Sequence, residues 1–267
     1  MLGHDRGLVL RTFPLRETSK IVSVLGSEHG KLRLVARGVR GSRNPAGASL
    51  ESGNEIEYVF SLKSGRDLGN FREVSLRQAW LAGTGRLETM AVGWAALELL
   101  ERTLPEGASE AGLVADVWNY LESLQQVRER AGAVLLLYAF ELRLLERLGL
   151  TPALDVCRVC GRVPRGSVAL DVQGGTWMCS SCRLPGTSVL SVPSDAAALL
   201  MQLRDDPWQA LHLDSETQTR REVGLVVHRL LTAHVERYRY PRALDLLKRV
   251  AEFVPADELQ SPSGDPL

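Results

Sequence analysis

Two cysteine pairs, Cys157-x2-Cys160 and Cys179-x2-Cys182, are separated by 18 residues, and no other feature constrains the fold of this chain as strongly. The two-residue spacing lets both thiolates of a pair face one ion from a tight turn, and the distance between pairs is that of zinc ribbons and knuckles. Gly161, directly after the first pair, supplies the backbone freedom such a turn needs. Between the pairs, Ser167 to Val172 and Thr176 to Cys179 bracket Gly174-Gly175, so a hairpin is expected to return the second pair against the first. Four thiolates leave no open coordination position, which makes the expected Zn(2+) structural and not catalytic. Two loose dithiols of a redox protein are the competing reading, and the paired spacing argues against it. Disulfides would suit an oxidising compartment, but a chain of 267 residues can bury a core without staples.

Around this motif the chain reads as globular, with 45% apolar and 24% charged residues. The opening segment lacks the apolar core of a secretory signal. The longest unbroken apolar run, Ala133 to Phe140, is far short of the roughly 20 residues that span a bilayer. A cytoplasmic address and no membrane partner are therefore expected. Short apolar runs at Gly7 to Arg11, Ile21 to Leu25, Lys31 to Arg37, Glu55 to Leu62 and Gly69 to Leu76 read as strands, with Pro14 to Lys20 as a separator and Gly38 to Gly53 as a long loop. Five strands in so short a stretch suggest a small barrel. After Trp80 the apolar spacing becomes three and four, giving helices over Leu87 to Leu104, Glu110 to Val127, Ala131 to Leu148, Ser194 to Arg204 and Glu216 to Arg237. The fold class is thus α+β. A barrel domain over 1–80 precedes a helical domain over 81–250 that carries the zinc finger as an insertion at 155–185, and the Pro- and Ser-containing tail 255–267 is expected to be disordered.

The two domains differ in charge, since residues 1–80 hold 13 Lys and Arg against 8 Asp and Glu in a chain of zero net charge. Lys31, Arg33, Arg37, Arg40 and Arg43 line one strand and the glycine-rich loop after it, as a phosphate-tracking surface requires. Arg220 and Arg221, in the first turns of a helix, are secondary candidates for DNA contact. Phe13, Tyr58, Phe60, Phe71 and Trp80 can serve either as a base-stacking platform or, the commoner use, as core. The five histidines have no ligand spacing, and no Walker loop, dinucleotide fingerprint, G-x-S-x-G or HExxH occurs. These absences point to a binding protein and not an enzyme.

Several segments resemble the RecO family of bacterial recombinational repair proteins. Gly7-Leu8-Val9-Leu10 with Arg16-Glu17-Thr18-Ser19 is similar to the family's opening strands, and Val35-Ala36-Arg37-Gly38-Val39-Arg40 to its VARGxR stretch. Phe140-Glu141-Leu142-Arg143-Leu144-Leu145, leading through Gly149 and Pro152 to Cys157-Arg158-Val159-Cys160-Gly161, resembles the family's junction of helix and zinc site. One departure stands out: Gly41 and Ser42 intervene before Arg43 where the family usually stays basic. The resemblance implies an N-terminal OB-fold β-barrel, a helical domain and a four-cysteine zinc finger. It also implies binding of single- and double-stranded DNA, annealing of complementary strands, partnership with RecR, and help for RecA in replacing single-strand-binding protein, which would place the chain at the nucleoid. The alternative function is a zinc-stabilised protein-interaction scaffold without DNA affinity of its own.

Overall fold

Strands β1 (Leu2–Leu15), β2 (Ser19–Gly26), β3 (Gly30–Ala36), β4 (Asn54–Ser61) and β5 (Leu68–Ala79) close into a barrel in the order β1-β2-β3-β5-β4. Period-two alternation is the cause: Val22 and Val24 of β2, Leu32, Leu34 and Ala36 of β3, and Ile56, Tyr58 and Phe60 of β4 all enter one core. Neighbours are antiparallel except at the seam between β3 and β5, which is parallel from Arg33↔Leu68 to Val35↔Asn70. A five-stranded closed barrel of this kind is the OB-fold architecture. This computed structural model describes residues 2–40, 46–63, 65, 67–82, 84–107, 111–183, 186, 188–236 and 238–247, so Arg43 and the tail 255–267 lie outside the described residues.

Strand β1 is longer than its apolar run. Its first half pairs with β4, from Leu2↔Ser61 to Leu8↔Glu55, and its second half pairs with β2, from Gly7↔Gly26 to Leu15↔Ser19. A bulge between Val9 and Arg11 bends it from one partner to the other. The segment expected as a separator therefore continues the ladder, and the turn itself is confined to Arg16 (φ 55°), Glu17 and Thr18. The Gly38 to Gly53 stretch likewise holds more than loop, because helix α1 (Ala46–Ser49), with Val39 and Leu50, closes the core.

Helices α2 (Leu87–Thr103) and α3 (Ala111–Gln126) complete the first compact unit, which runs from Met1 to Gln125, later than the change of texture at residue 80. Helix α2 packs across β1. Leu8 and its register partner Leu25 point out of the barrel, yet they are 0% and 2% exposed. Gln125 Nε2 donates to the Trp80 carbonyl at 3.0 Å, and Tyr120 Oη donates to the Val92 carbonyl at 3.0 Å.

The second compact unit is organised on α4 (Arg130–Arg147), whose residues from Gly132 to Leu142 are all buried. A helix apolar on every side must be enclosed. Helices α5 (Ser194–Asp205) and α6 (Thr217–His234) and a 3-10 turn at Pro207–His212 pack against it. Gly132 permits the closest approach, since a Cβ there would lie 2.8 Å from the Leu211 carbonyl oxygen. Strands β6 (Val168–Asp171), β7 (Thr176–Cys179) and β8 (Leu190–Val192) form a small sheet in the order β7-β6-β8, and it carries the cysteines.

Candidate metal centre and nucleic-acid interface

The cysteine pairs are brought together by the local chain path their spacing suggests. The Gly161 amide donates to the Cys157 carbonyl and the Cys157 amide to the Arg162 carbonyl, both at 2.8 Å, which closes the first pair into a knuckle with Gly161 at φ 71°. The β6–β7 hairpin runs from Val168↔Cys179 to Asp171↔Thr176. Its turn is held by the Gly174 amide donating to Asp171 Oδ1 at 3.0 Å. Arg158 ties the knuckle to the same hairpin through an ion pair with Asp171 at 2.8 Å. Cys157 is fully buried against Ala169 and Met178, while Cys160 is exposed.

All four Sγ atoms lie within 4.8 Å of one another, and Cys160 and Cys179 are 4.0 Å apart. That is twice the length of a disulfide, and close to the roughly 3.8 Å sulfur–sulfur edge of a tetrahedron with zinc–sulfur bonds near 2.3 Å. The titration of the thiols points the same way. Burial pushes Cys157 up, but amides of Cys160, Cys179 and Val159 donate to it and bring it down to about 6. Cys179 is pushed up to about 12 by burial and then by Cys157 and Cys160; Cys182 is raised by its hydrogen bond with Cys160 and by burial. Four thiolates this close repel one another unless a cation is shared among them, so the donor set fits a divalent metal ion.

The expected DNA-contacting cations fall into three groups. Arg33, Arg37 and Arg40 are exposed. Arg37 Nη2 donates to Asn70 Oδ1 at 3.3 Å and Arg40 Nη1 to the Arg16 carbonyl at 2.6 Å, so both guanidinium charges face solvent without a carboxylate partner among the described residues. Arg33 is half compensated, pairing with Glu106 at 2.9 Å and reaching Glu101 at 4.0 Å. Arg221 is half-buried on α6.

Lys31 and Arg220 are corrections. Lys31 is 3% exposed and donates to the carbonyls of Glu101 and, at 3.1 Å, Leu104, capping the C-terminus of α2. Its Nζ also lies 3.4 Å from Glu101 Oε2, an atom that accepts from Ser23 Oγ at 2.5 Å. Desolvation lowers the Lys31 pKa against the pull of Glu101. Such a lysine is a packing element and cannot track phosphates. Arg220 is 6% exposed, with its guanidinium donating to the Ser215 carbonyl and to Thr217 Oγ1 at 3.0 Å, so it fastens the entry to α6.

Two cations that the sequence reading passed over, Arg11 and Arg16, lie on β1 and its turn and are exposed. The signal was the period-two series Arg11-x-Phe13-x-Leu15, hidden because the strand was expected to stop at Arg11. Of the aromatics, Tyr58 and Phe60 are core and Phe71 packs against it. Trp80 donates to Glu55 Oε2 at 3.0 Å and faces Trp118. Phe13 is half-exposed on the outer surface. No helix among the described residues is long and apolar enough to cross a membrane.

Comparison with known proteins adds to this geometry. Residues 1–80 match the family model described as Recombination protein O N terminal, and residues 85–243 the model described as Recombination protein O C terminal. A protein of Frankia casuarinae named DNA repair protein RecO is 34% identical over 257 residues, covering 92% of this chain and 98% of its own. One of the same name from Streptomyces griseus is 32% identical over 245 residues, covering 88% and 95%. A third, from Anaeromyxobacter sp., is 32% identical over 200 residues, covering 74% and 78%.

Proposed function

Because the chain belongs to the RecO family and so has a role in DNA repair and recombination, we propose that it is a non-enzymatic mediator that binds single- and double-stranded DNA and anneals complementary single strands. With RecR it helps RecA load onto DNA coated by single-strand-binding protein. The observation that carries the DNA part is the exposed series Arg33, Arg37 and Arg40 along β3 of an OB-fold barrel and the segment after it, with Arg37 and Arg40 unneutralised by carboxylates among the described residues. Guanidinium groups so placed neutralise phosphates, and a strand whose charge is screened can meet its complement without nucleotide hydrolysis. The second compact unit supplies a surface for protein partners, and Cys157, Cys160, Cys179 and Cys182 hold a structural zinc ion. That ion fixes the knuckle to the hairpin and does no chemistry of its own.

The test is titration of labelled single-stranded DNA with the purified protein across a salt series, beside a variant with Arg33, Arg37 and Arg40 changed to alanine. Phosphate-dominated binding gives a steep loss of affinity with salt, and removing three contacts lowers the slope of log K against log salt by roughly 2 to 3. A wild-type protein that binds no DNA would leave the protein-interaction scaffold as the reading.

A further inference from the structure

Strand register sets three apolar side chains in a row across the outside of the barrel. Phe13 of β1 opposes Ile21 of β2, and Ile21 opposes Val35 of β3. Their neighbours Val22 and Leu34 enter the core, so alternation turns this row outward. The next row, Arg11, Ser23 and Arg33, marks where the cover begins, because Ser23 is fully buried beneath Glu101 at the end of α2. Beyond it Phe13 and Ile21 are half-exposed, while Val35, at the inner end of the row, is only 8% exposed. Phe13 and Ile21, on neighbouring strands about 4.8 Å apart with Val35 beneath their edge, make a narrow apolar shelf that the face of one base can cover.

The shelf is apolar but fenced by cations. The Arg11 guanidinium stands 4.7 Å from the centre of the Phe13 ring, a cation–π pair that steadies the ring from one side. Arg33 closes the same side, while Arg37 and Arg40 stand at the far end of β3 and in the segment after it. Arg40 is anchored to the β1–β2 turn through both its amide on the Thr18 carbonyl at 3.1 Å and its side chain on the Arg16 carbonyl at 2.6 Å. A ligand complementary to this surface carries a flat apolar face and a negative charge at each short interval. A single strand displays both. In a duplex the base faces are stacked on one another, leaving phosphates as the part within reach.

We infer that Phe13 and Ile21, backed by the buried Val35, form a base-stacking platform for single-stranded DNA, with Phe13 as the stacking ring and Arg11, Arg37 and Arg40 on the flanking phosphates. The inference rests on the reading of the barrel as a DNA-contacting domain, and it makes the face selective for unpaired strands.

The experiment compares full-length wild type, Phe13→Ala and Phe13→Trp on three labelled ligands at one salt concentration: an oligothymidylate, an abasic oligonucleotide of equal length and charge, and a duplex. Wild type should bind oligothymidylate about tenfold more tightly than the abasic strand, the effect of one stacked base. Phe13→Ala should bring that ratio close to one while affinities for the abasic strand and the duplex stay within about twofold, and Phe13→Trp should keep it. A partly unfolded variant loses all three affinities together and does not change the ratio. A wild-type ratio of one overturns the platform, and so does a ratio that survives Phe13→Ala, which would assign the shelf to a protein partner. If wild type binds none of the three ligands, the DNA function falls along with the platform.

Discussion

Lys31 and Arg33 sit two residues apart on one face of β3 and carry the same charge, yet their roles are opposite. Periodicity reveals that shared face; it does not reveal that the end of α2, 70 residues along the chain, closes over half of it. Lys31→Met removes the capping bonds and strands Glu101 in a buried site, an expected cost of about 3 to 5 kcal/mol, measurable by urea unfolding. Arg37→Ala, at an exposed site, should leave stability within roughly 0.5 kcal/mol and alter DNA binding instead. Two other groups, the half-buried His228 and the buried Glu141, shape the pH response. Burial, followed by the charge of Arg229, lowers His228 to about 4, and burial raises Glu141 to about 8. The depressed histidine contributes stability that is present above its unfolded pKa near 6.5 and lost as pH falls through 4. The raised carboxyl contributes stability that is complete below its unfolded pKa near 4.5 and lost as pH rises through 8. Between roughly pH 4.5 and 6.5 the two slopes oppose one another, and above that Glu141 acts alone. Stability should therefore fall by about 2 kcal/mol from pH 6.5 to 8, and Glu141→Gln should flatten that limb. An unchanged limb in the variant would assign the slope to other groups.

Among the elements, the four-cysteine knuckle was the most legible, because the spacing of Cys157, Cys160, Cys179 and Cys182 and the Gly174-Gly175 turn encode it within one short segment. Chelation, or Cys179→Ser, should release the ion, with about one equivalent found in the untreated protein by elemental analysis, and should lower the melting temperature of the second unit. Content below about half an equivalent in reduced, folded protein would remove zinc from the account. Strand β1 was less legible. Its two halves serve different partners around a bulge at Val9 and Arg11, and such a division depends on β4, distant in sequence. With the strand cut short, Arg11 went unnoticed and Phe13 kept two possible roles, core or surface. Only the register with Ile21 decides between them.

For the molecule as a whole, the change from strand pattern to helix pattern at residue 80 marks where the family models also part, whereas compactness places the division after Gln125. The reason is the outward pair Leu8 and Leu25, which a barrel alone would leave wet. A fragment of residues 1–125 should melt cooperatively, and one of residues 1–80 should not; equal melting of the two by calorimetry would show that the barrel needs no cover. That same cover also acts as a ruler. By ending over Ser23, helix α2 leaves uncovered only the strand ends beyond it, the four residues from Val22 back to Ser19 on β2, about 13 Å of strand and enough for two or so nucleotides. Under the proposed DNA function, a strand gripped over so short a footprint would keep almost all of its Watson–Crick edges open to a complement, so that the reach of a helix, and not the size of the barrel, would determine how much of the DNA message stays readable.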